Sequence, residues 1–230
     1  MGRNKLEAVI WDMDGVLADT NDFHFRAWSE IYRRFSDDRQ PLARTQFESL
    51  FGMLNDETVI RLFGSDRTSA AFIQTVGLEK EILFREMIRG RIDPLPGVRS
   101  WLSYFQDRGL DQAVASSAPE LNIKAILSEL NLFPYFTVVL SGEGPSQLAS
   151  KPAPDIFQEA ARHLKRGPAH CLVIEDSIVG VQAAKAAGMA CLAVTTTHQA
   201  SELIDADWTI VNFDDLQPVM MVEMWEQQSE

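Results

Sequence analysis

The chain alternates between short apolar runs and longer segments in which apolar residues recur with a helical period of about 3.6. Uninterrupted apolar runs are typical of parallel strands that helices cover on both faces. Strands are predicted at Ala8–Trp11, Leu110–Ala115, Thr137–Leu140, Cys171–Ile174, Ala190–Val194 and, more weakly, Trp208–Val211. Helices are predicted between them at Gly97–Asp107, Glu120–Leu130, Pro154–Leu164 and Ser177–Ala187. This alternation predicts an α/β fold with a Rossmann-like parallel sheet.

The stretch from Asp22 to Ile92 interrupts the alternation, because it has helical periodicity and no convincing strand. Its segments FRAWSEIYRRF, RTQFESLF, NDETVIRLF, TSAAFIQTVG and LEKEILFREMIRG predict four or five helices. We therefore expect a core domain of residues 1–20 and 94–230 and an α-helical cap domain of residues 21–93. Ligands of open α/β sheets bind at the carboxyl ends of the strands, so a module inserted after the first strand can act as a lid.

Composition narrows the class of protein. The 230 residues are 46% apolar, enough for a substantial core, and carry a net charge of −12, which argues against nucleic acid or an anionic membrane as a partner. We expect no membrane span and no signal peptide, and we expect a cytoplasmic location. Cys171 and Cys191 lie in apolar runs and are expected to be buried thiols. The tail from Glu223 is expected to fray, and the oligomeric state stays open.

Two pairs of acidic residues follow predicted strands. Asp12 and Asp14 come directly after the first strand, and Glu175 and Asp176 come after the fourth. The alternative is structural: a polar strand end with a turn, or Asp176 or Ser177 capping the next helix. Carboxylates gathered at one sheet edge would repel one another, and oxygen ligands without His or Cys favour a hard cation. The pattern therefore predicts Mg²⁺ between Asp12 and Asp176.

Two further segments suit a phosphate group. Ser116 and Ser117 follow the second predicted strand, and Lys151 lies in a turn before a helix. Each alone is a weak signal, because a Ser-Ser pair is usually an ordinary turn and a lysine is usually a solvated charge. The order of all these features along the chain is much more specific than any one of them alone. That order is strand–Asp-x-Asp, strand–Ser, loop–Lys-Pro and strand–Glu-Asp.

This order resembles the haloacid dehalogenase (HAD) superfamily, and in particular its β-phosphoglucomutase-like branch, whose helical cap is inserted after motif one. DMDGVLADT resembles motif one, ASS motif two, SKPAPDIF motif three and IEDSIVGVQAAKAAG motif four. Together these motifs extend over nearly the whole chain.

The resemblance implies roles for individual residues. Asp12 would be the nucleophile that forms an aspartyl phosphate, and Asp14 the general acid and then the general base. Ser116 and Lys151 would hold the transferring phosphoryl group. Asp12, Asp176 and the backbone carbonyl of Asp14 would bind Mg²⁺, with Glu175 acting directly or through water.

Residues of the predicted cap are candidates for binding the substrate. The resemblance implies this role for His24, Trp28, Gly52, Asn55 and Lys80, together with Ser117 of the core. Packing remains the alternative for His24 and Trp28, and a solvated helix charge is the alternative for Lys80. By alignment, Asn55 and Pro119 stand where the mutase has an arginine and a lysine. Both departures remove positive charge.

Three functions follow, in order of preference. The first is a Mg-dependent phosphatase that hydrolyses a small phosphorylated metabolite, with a sugar phosphate as the candidate. The second is a β-phosphoglucomutase-type mutase, which shares the phosphoenzyme but transfers the phosphoryl group to a sugar. The third is a non-catalytic sensor of a phosphorylated ligand.

Overall fold

The computed structural model describes residues 5–37, 39–50, 55–143 and 148–227. The strands are β1 (Ala8–Trp11), β2 (Asp111–Ser116), β3 (Val138–Ser141), β4 (Cys171–Glu175), β5 (Ala190–Val194) and β6 (Trp208–Ile210). The helices are α1 (Asn21–Phe35), α2 (Arg44–Glu48), α3 (Asn55–Phe63), α4 (Ala70–Ile88), α5 (Val98–Asp107), α6 (Glu120–Glu129), α7 (Asp155–Leu164), α8 (Ile178–Ala186) and α9 (Pro218–Gln227).

The six strands form one parallel sheet in the order β3-β2-β1-β4-β5-β6. The central strand β1 pairs Trp11 with Val114 of β2 on one side and with Ile174 of β4 on the other. This confirms the predicted α/β fold with a Rossmann-like parallel sheet and a helical insertion after β1.

Apolar layers cover both faces of the sheet. On one face, Phe157 of α7 and Val181 of α8 belong to a buried cluster with Ile10. The opposite face carries an aromatic cluster in which Trp11 contacts Phe105 and Phe213. Burial on both faces explains why the strand sequences are continuously apolar.

The chain divides into two compact units, Met1–Asp19 with Ile92–Glu230, and Thr20–Arg91. The second unit contains α1 to α4. It has its own hydrophobic core, which includes Trp28, Ile31, Phe47, Val59 and Val76. The last two predicted helical segments form the single helix α4, in which Gly77 is buried and does not interrupt the helix.

The expectation that the tail frays from Glu223 is wrong as far as Gln227. Helix α9 includes these residues, and Trp225 is buried against Trp208. The apolar face formed with Met221 and Val222 holds the helix to the core.

Cys171 and Cys191 are free, buried thiols, as predicted. Within the described ranges, no helix has both the length and the apolar character that crossing a bilayer requires.

Candidate active site

The site is built at the carboxyl ends of the adjacent strands β1 and β4. Asp12 follows β1, and its backbone N–H donates to the carbonyl of Ile174 at 2.9 Å. Glu175 is the last residue of β4, and Asp176 follows it. The parallel register therefore places the two acidic pairs side by side at one edge of the sheet.

Three carboxylates converge there. Asp12, Glu175 and Asp176 are buried, and each offers an oxygen atom within 4.8 Å of the other two. Lys151 Nζ donates to Asp12 Oδ1 at 2.6 Å and to Glu175 Oε1 at 2.6 Å, and its side chain is only 7% exposed. One ammonium group thus faces three carboxylates, and the cluster can accommodate additional positive charge.

This crowding shifts the acid–base equilibria of the cluster. Burial raises the pKa of Asp12; Lys151 opposes that rise, Glu175 and Asp14 add to it, and the resulting value is about 7. Burial, with Glu175 and Asp12, also raises the pKa of Asp176 well above its ordinary value. Burial alone would lower the pKa of Lys151, but the adjacent carboxylates outweigh burial and raise it, so this lysine is cationic.

Glu175 is held in a fixed position. Its Oε2 accepts hydrogen bonds from the backbone N–H groups of Asp176 and Ser177, both at 2.8 Å, and from Ser177 Oγ at 2.9 Å. Ser177 Oγ also accepts from the N–H of Gly180 and so caps helix α8. An ideal Cβ at Gly180 would lie 1.8 Å from Glu175 Oε1, so this helix position requires glycine.

The turn after β1 packs against Asp176. Gly15 has a φ of +80°, and its N–H donates to the carbonyl of Ala18 at 2.8 Å. An ideal Cβ at Gly15 would lie 1.9 Å from Asp176 Oδ2. Asp14 is half-buried in this turn, and its side chain is not one of the three converging carboxylates. The metal contact predicted for Asp14 is its backbone carbonyl, and that contact stays a prediction.

A loop that the sequence analysis missed also contacts the site. Thr197 Oγ1 donates to Asp176 Oδ2, and Thr196 Oγ1 donates to the carbonyl of Gly15. His198 Nδ1 lies 3.2 Å from the carbonyl of Asp176. These residues follow β5, so the rule that ligand-binding groups gather at the carboxyl ends of parallel strands could have found them.

Ser116, which we predicted to bind phosphate, is buried at the end of β2 beside β1. Its Oγ accepts a hydrogen bond from the backbone N–H of Ala118 at 3.1 Å, and its own hydroxyl proton can still be donated. Ser117 is exposed. Ser116 therefore lies on the strand next to the one that Asp12 follows.

Three candidates from the helical unit come together around Glu81. Lys80 Nζ lies 2.7 Å from Glu81 Oε1 and 3.0 Å from His24 Nδ1, and Asn55 Nδ2 donates to the same Glu81 oxygen at 2.8 Å. The Lys80 side chain is 4% exposed, so the alternative of a solvated helix charge is wrong. Trp28 is buried in the core of this unit. The fifth candidate of this unit, Gly52, lies outside the described residues.

Residues 6–188 match the family of haloacid dehalogenase-like hydrolases. The chain belongs to this family. Among HAD-like relatives, it is 32% identical over 233 residues to the β-phosphoglucomutase of Bacillus subtilis, an alignment that covers 96% of each chain. It is 30% identical to a phosphorylated carbohydrates phosphatase of Thermotoga maritima, over 80% of this chain and 82% of the relative.

A solved HAD-like structure, the β-phosphoglucomutase of Clostridium difficile, superimposes with a TM-score of 0.82. It is 25% identical, and the match covers 96% of this chain and 98% of that one. These relatives place the chain in the β-phosphoglucomutase-like branch.

Proposed function

We propose that the chain is a Mg-dependent phosphatase that hydrolyses a small phosphorylated metabolite through an aspartyl phosphate on Asp12. The observation that carries the proposal is the buried contact of Lys151 with Asp12 and Glu175, at 2.6 Å each, next to Asp176. A carboxylate held by one ammonium beside a cation site is suited to attack an anionic phosphoryl group.

The residues present fit a magnesium ion. The donors are carboxylate oxygens within 4.8 Å of one another, and the buried cluster has more negative than positive charge. Asp12, Asp176 and the carbonyl of Asp14 would hold the ion. Glu175 already accepts four hydrogen bonds, which favours a contact through water. Bound Mg²⁺ would neutralise negative charge and polarise a phosphoryl oxygen.

The chain's own residues would carry the chemistry in two steps. In the first, Asp12 attacks phosphorus, the bond to the leaving oxygen breaks, and Asp14 protonates that oxygen. In the second, Asp14 takes a proton from water, the water oxygen attacks phosphorus, and the bond to Asp12 breaks to release inorganic phosphate. Ser116 and Lys151 would hold the phosphoryl oxygens throughout.

Substrate contacts are proposed for Ser117 and for the candidates of the helical unit. The charge of Lys80 is compensated by Glu81, and the family resemblance aligns Asn55 with an arginine of the mutase. Less positive charge favours a substrate with one phosphate group over a bisphosphate. The similarity to a phosphatase of phosphorylated carbohydrates supports a sugar phosphate.

Mutase activity is the second candidate, because the chain is 32% identical to a β-phosphoglucomutase over 96% of both chains. Incubation with β-glucose 1-phosphate and its bisphosphate primer separates the two activities. A phosphatase releases inorganic phosphate, whereas formation of glucose 6-phosphate without phosphate release would identify a mutase.

Hydrolysis of p-nitrophenyl phosphate tests the shared chemistry. We expect Mg-dependent turnover by the wild type and a loss of at least about 10³-fold in Asp12→Asn, because the nucleophile is removed. Asp205→Asn, which changes an exposed carboxylate, is the matched control and should retain wild-type turnover. Wild-type protein without turnover would instead support a non-catalytic sensor.

Replacement of Asp14 separates the two steps. The p-nitrophenolate group leaves without needing a proton, but attack by water still needs a base. We therefore expect Asp14→Asn to give a burst of about one equivalent of p-nitrophenolate followed by slow turnover. Equal loss of the burst and the steady-state rate would contradict the role proposed for Asp14.

A further inference from the structure

The loop that follows β5 contacts the carboxylate of Asp176. Thr197 Oγ1 donates a hydrogen bond to Asp176 Oδ2. Among the described residues, no other side chain donates a hydrogen bond to this carboxylate. We propose that Thr197 is a positioning residue that restricts Asp176 to binding the metal ion through one oxygen. This inference rests on the metal site of the proposed function.

The same oxygen also packs closely against the turn after β1. Asp176 Oδ2 occupies the space of an absent Cβ at Gly15, 1.9 Å from the ideal position, and Thr197 Oγ1 lies 3.0 Å from that position. The carboxylate oxygen therefore contacts both a glycine turn and a hydroxyl group. Rotation of the carboxylate away from this position would break the hydrogen bond from Thr197.

The loop is also tied to the turn itself. Thr196 Oγ1 donates to the carbonyl of Gly15, and His198 Nδ1 lies 3.2 Å from the carbonyl of Asp176. Successive loop residues thus contact the turn after β1 and the residue after β4. The loop fixes these two segments relative to each other, although they are far apart in sequence.

The consequence concerns which divalent cation the site prefers. Mg²⁺ requires near-octahedral coordination by single oxygens, whereas Ca²⁺ readily accepts both oxygens of one carboxylate. Binding by both Asp176 oxygens would compete with the hydrogen bond from Thr197 to Oδ2. The Thr197 hydroxyl therefore favours Mg²⁺ over Ca²⁺.

Isothermal titration of Mg²⁺ and Ca²⁺ into the purified full chain tests this inference without any substrate. Thr197→Val removes the hydroxyl at nearly constant volume. We expect it to weaken Mg²⁺ binding about 10- to 100-fold, the usual effect of losing a group that orients a metal ligand. Ca²⁺ binding should weaken much less, and Thr197→Ser should restore the wild-type preference for Mg²⁺.

Two controls make the outcomes distinct. Thr195→Val changes a neighbouring threonine on the same loop and should bind both ions like the wild type. Asp176→Asn should lose Mg²⁺ binding, and if it does not, the proposed metal site itself fails. If Asp176→Asn loses binding but Thr197→Val binds Mg²⁺ within about twofold of the wild type, only the role of Thr197 is overturned. Equal weakening of both ions by Thr197→Val would also overturn it. Thermal unfolding in EDTA checks that each variant is folded.

Discussion

Lys151 and Lys80 are both buried, but they differ in the negative charge of the carboxylates beside them. Lys151 lies between Asp12 and Glu175, so its partners carry more negative charge than it can neutralise. Lys80 instead lies beside one carboxylate, that of Glu81, and near the rings of Trp28 and Phe84 at 5.4 and 5.5 Å. Lys151 therefore belongs to a cluster that can accept a cation, whereas Glu81 compensates the charge of Lys80 locally.

Replacement of Glu81 by glutamine tests the importance of this compensation. Glu81→Gln leaves the Lys80 ammonium buried without its carboxylate, and removing one partner of a buried ion pair typically costs about 3–5 kcal/mol. We expect a loss of that order in the free energy of unfolding, measured by urea denaturation. Glu86→Gln, on the exposed side of the same helix, should change it by less than about 0.5 kcal/mol.

The double variant Lys80→Met with Glu81→Leu provides an internal check. It removes both charges from the buried site, so we expect it to be less destabilised than Glu81→Gln alone. If Glu81→Gln unfolds at the same urea concentration as the wild type, the pair does not contribute to stability.

Residues whose position follows from the sequence pattern could be predicted, and those placed by tertiary packing could not. Asp12 and Asp176 directly follow apolar strands, so the convergence of their carboxylates at one sheet edge was predictable. Thr197 follows a predicted strand, which indicates its edge of the sheet but not its contact with Asp176, and no sequence pattern indicates that Glu81 contacts Asn55. A threonine in a loop or a glutamate in a helix usually faces solvent.

At the level of elements, the bounds of the strands were more predictable than the presence of a helix that is held by packing. Strands β1 and β5 have the predicted bounds, and the other four differ from theirs by at most one residue at each end, because continuous apolar runs define them. Helix α9 was missed because its buried residues, Met221, Val222 and Trp225, lie in a segment of mixed polarity near the chain end. What holds that helix is packing, which a local pattern does not show.

Helix α8 packs against the Glu175 carboxylate through Gly180. Replacement of Gly180 tests whether this contact matters for the chemistry of the site. Gly180→Ala should stabilise an isolated helix by about 1 kcal/mol. Its Cβ would, however, lie 1.8 Å from Glu175 Oε1, the oxygen that accepts a hydrogen bond from Lys151. We expect a net loss of stability and a decrease of about 10- to 100-fold in p-nitrophenyl phosphate turnover, because Lys151 is displaced.

Gly77→Ala is the matched control for this substitution. Gly77 is also a buried glycine within a helix, but among the described residues an ideal Cβ there meets just Asn55 Cβ, at 3.8 Å, which is an ordinary contact. We expect Gly77→Ala to leave stability unchanged or to raise it by about 0.5–1 kcal/mol. If the two variants behave alike, the fixed position of Glu175 is not what requires glycine at Gly180.

At the scale of the whole molecule, the metal-free protein should lose stability as the pH rises. The raised pKa values of Asp12 and Asp176 mean that the native state binds protons more tightly than the unfolded chain does. The stabilisation from these protons is complete below about pH 4 and is lost as the pH rises through about 7, the pKa of native Asp12. Each unit of pKa difference corresponds to about 1.4 kcal/mol.

Urea denaturation in EDTA at pH 5 and pH 8 measures this loss, with Asp12→Asn as the reference because its side chain does not titrate. We expect the free energy of unfolding of the wild type to fall by at least about 1 kcal/mol relative to Asp12→Asn between the two pH values. Excess Mg²⁺ should remove most of that difference, because a bound cation stabilises the ionised carboxylates and replaces the protons. Parallel pH dependences of the two proteins in EDTA would show that Asp12 is already ionised without metal, and that Lys151 alone compensates the cluster.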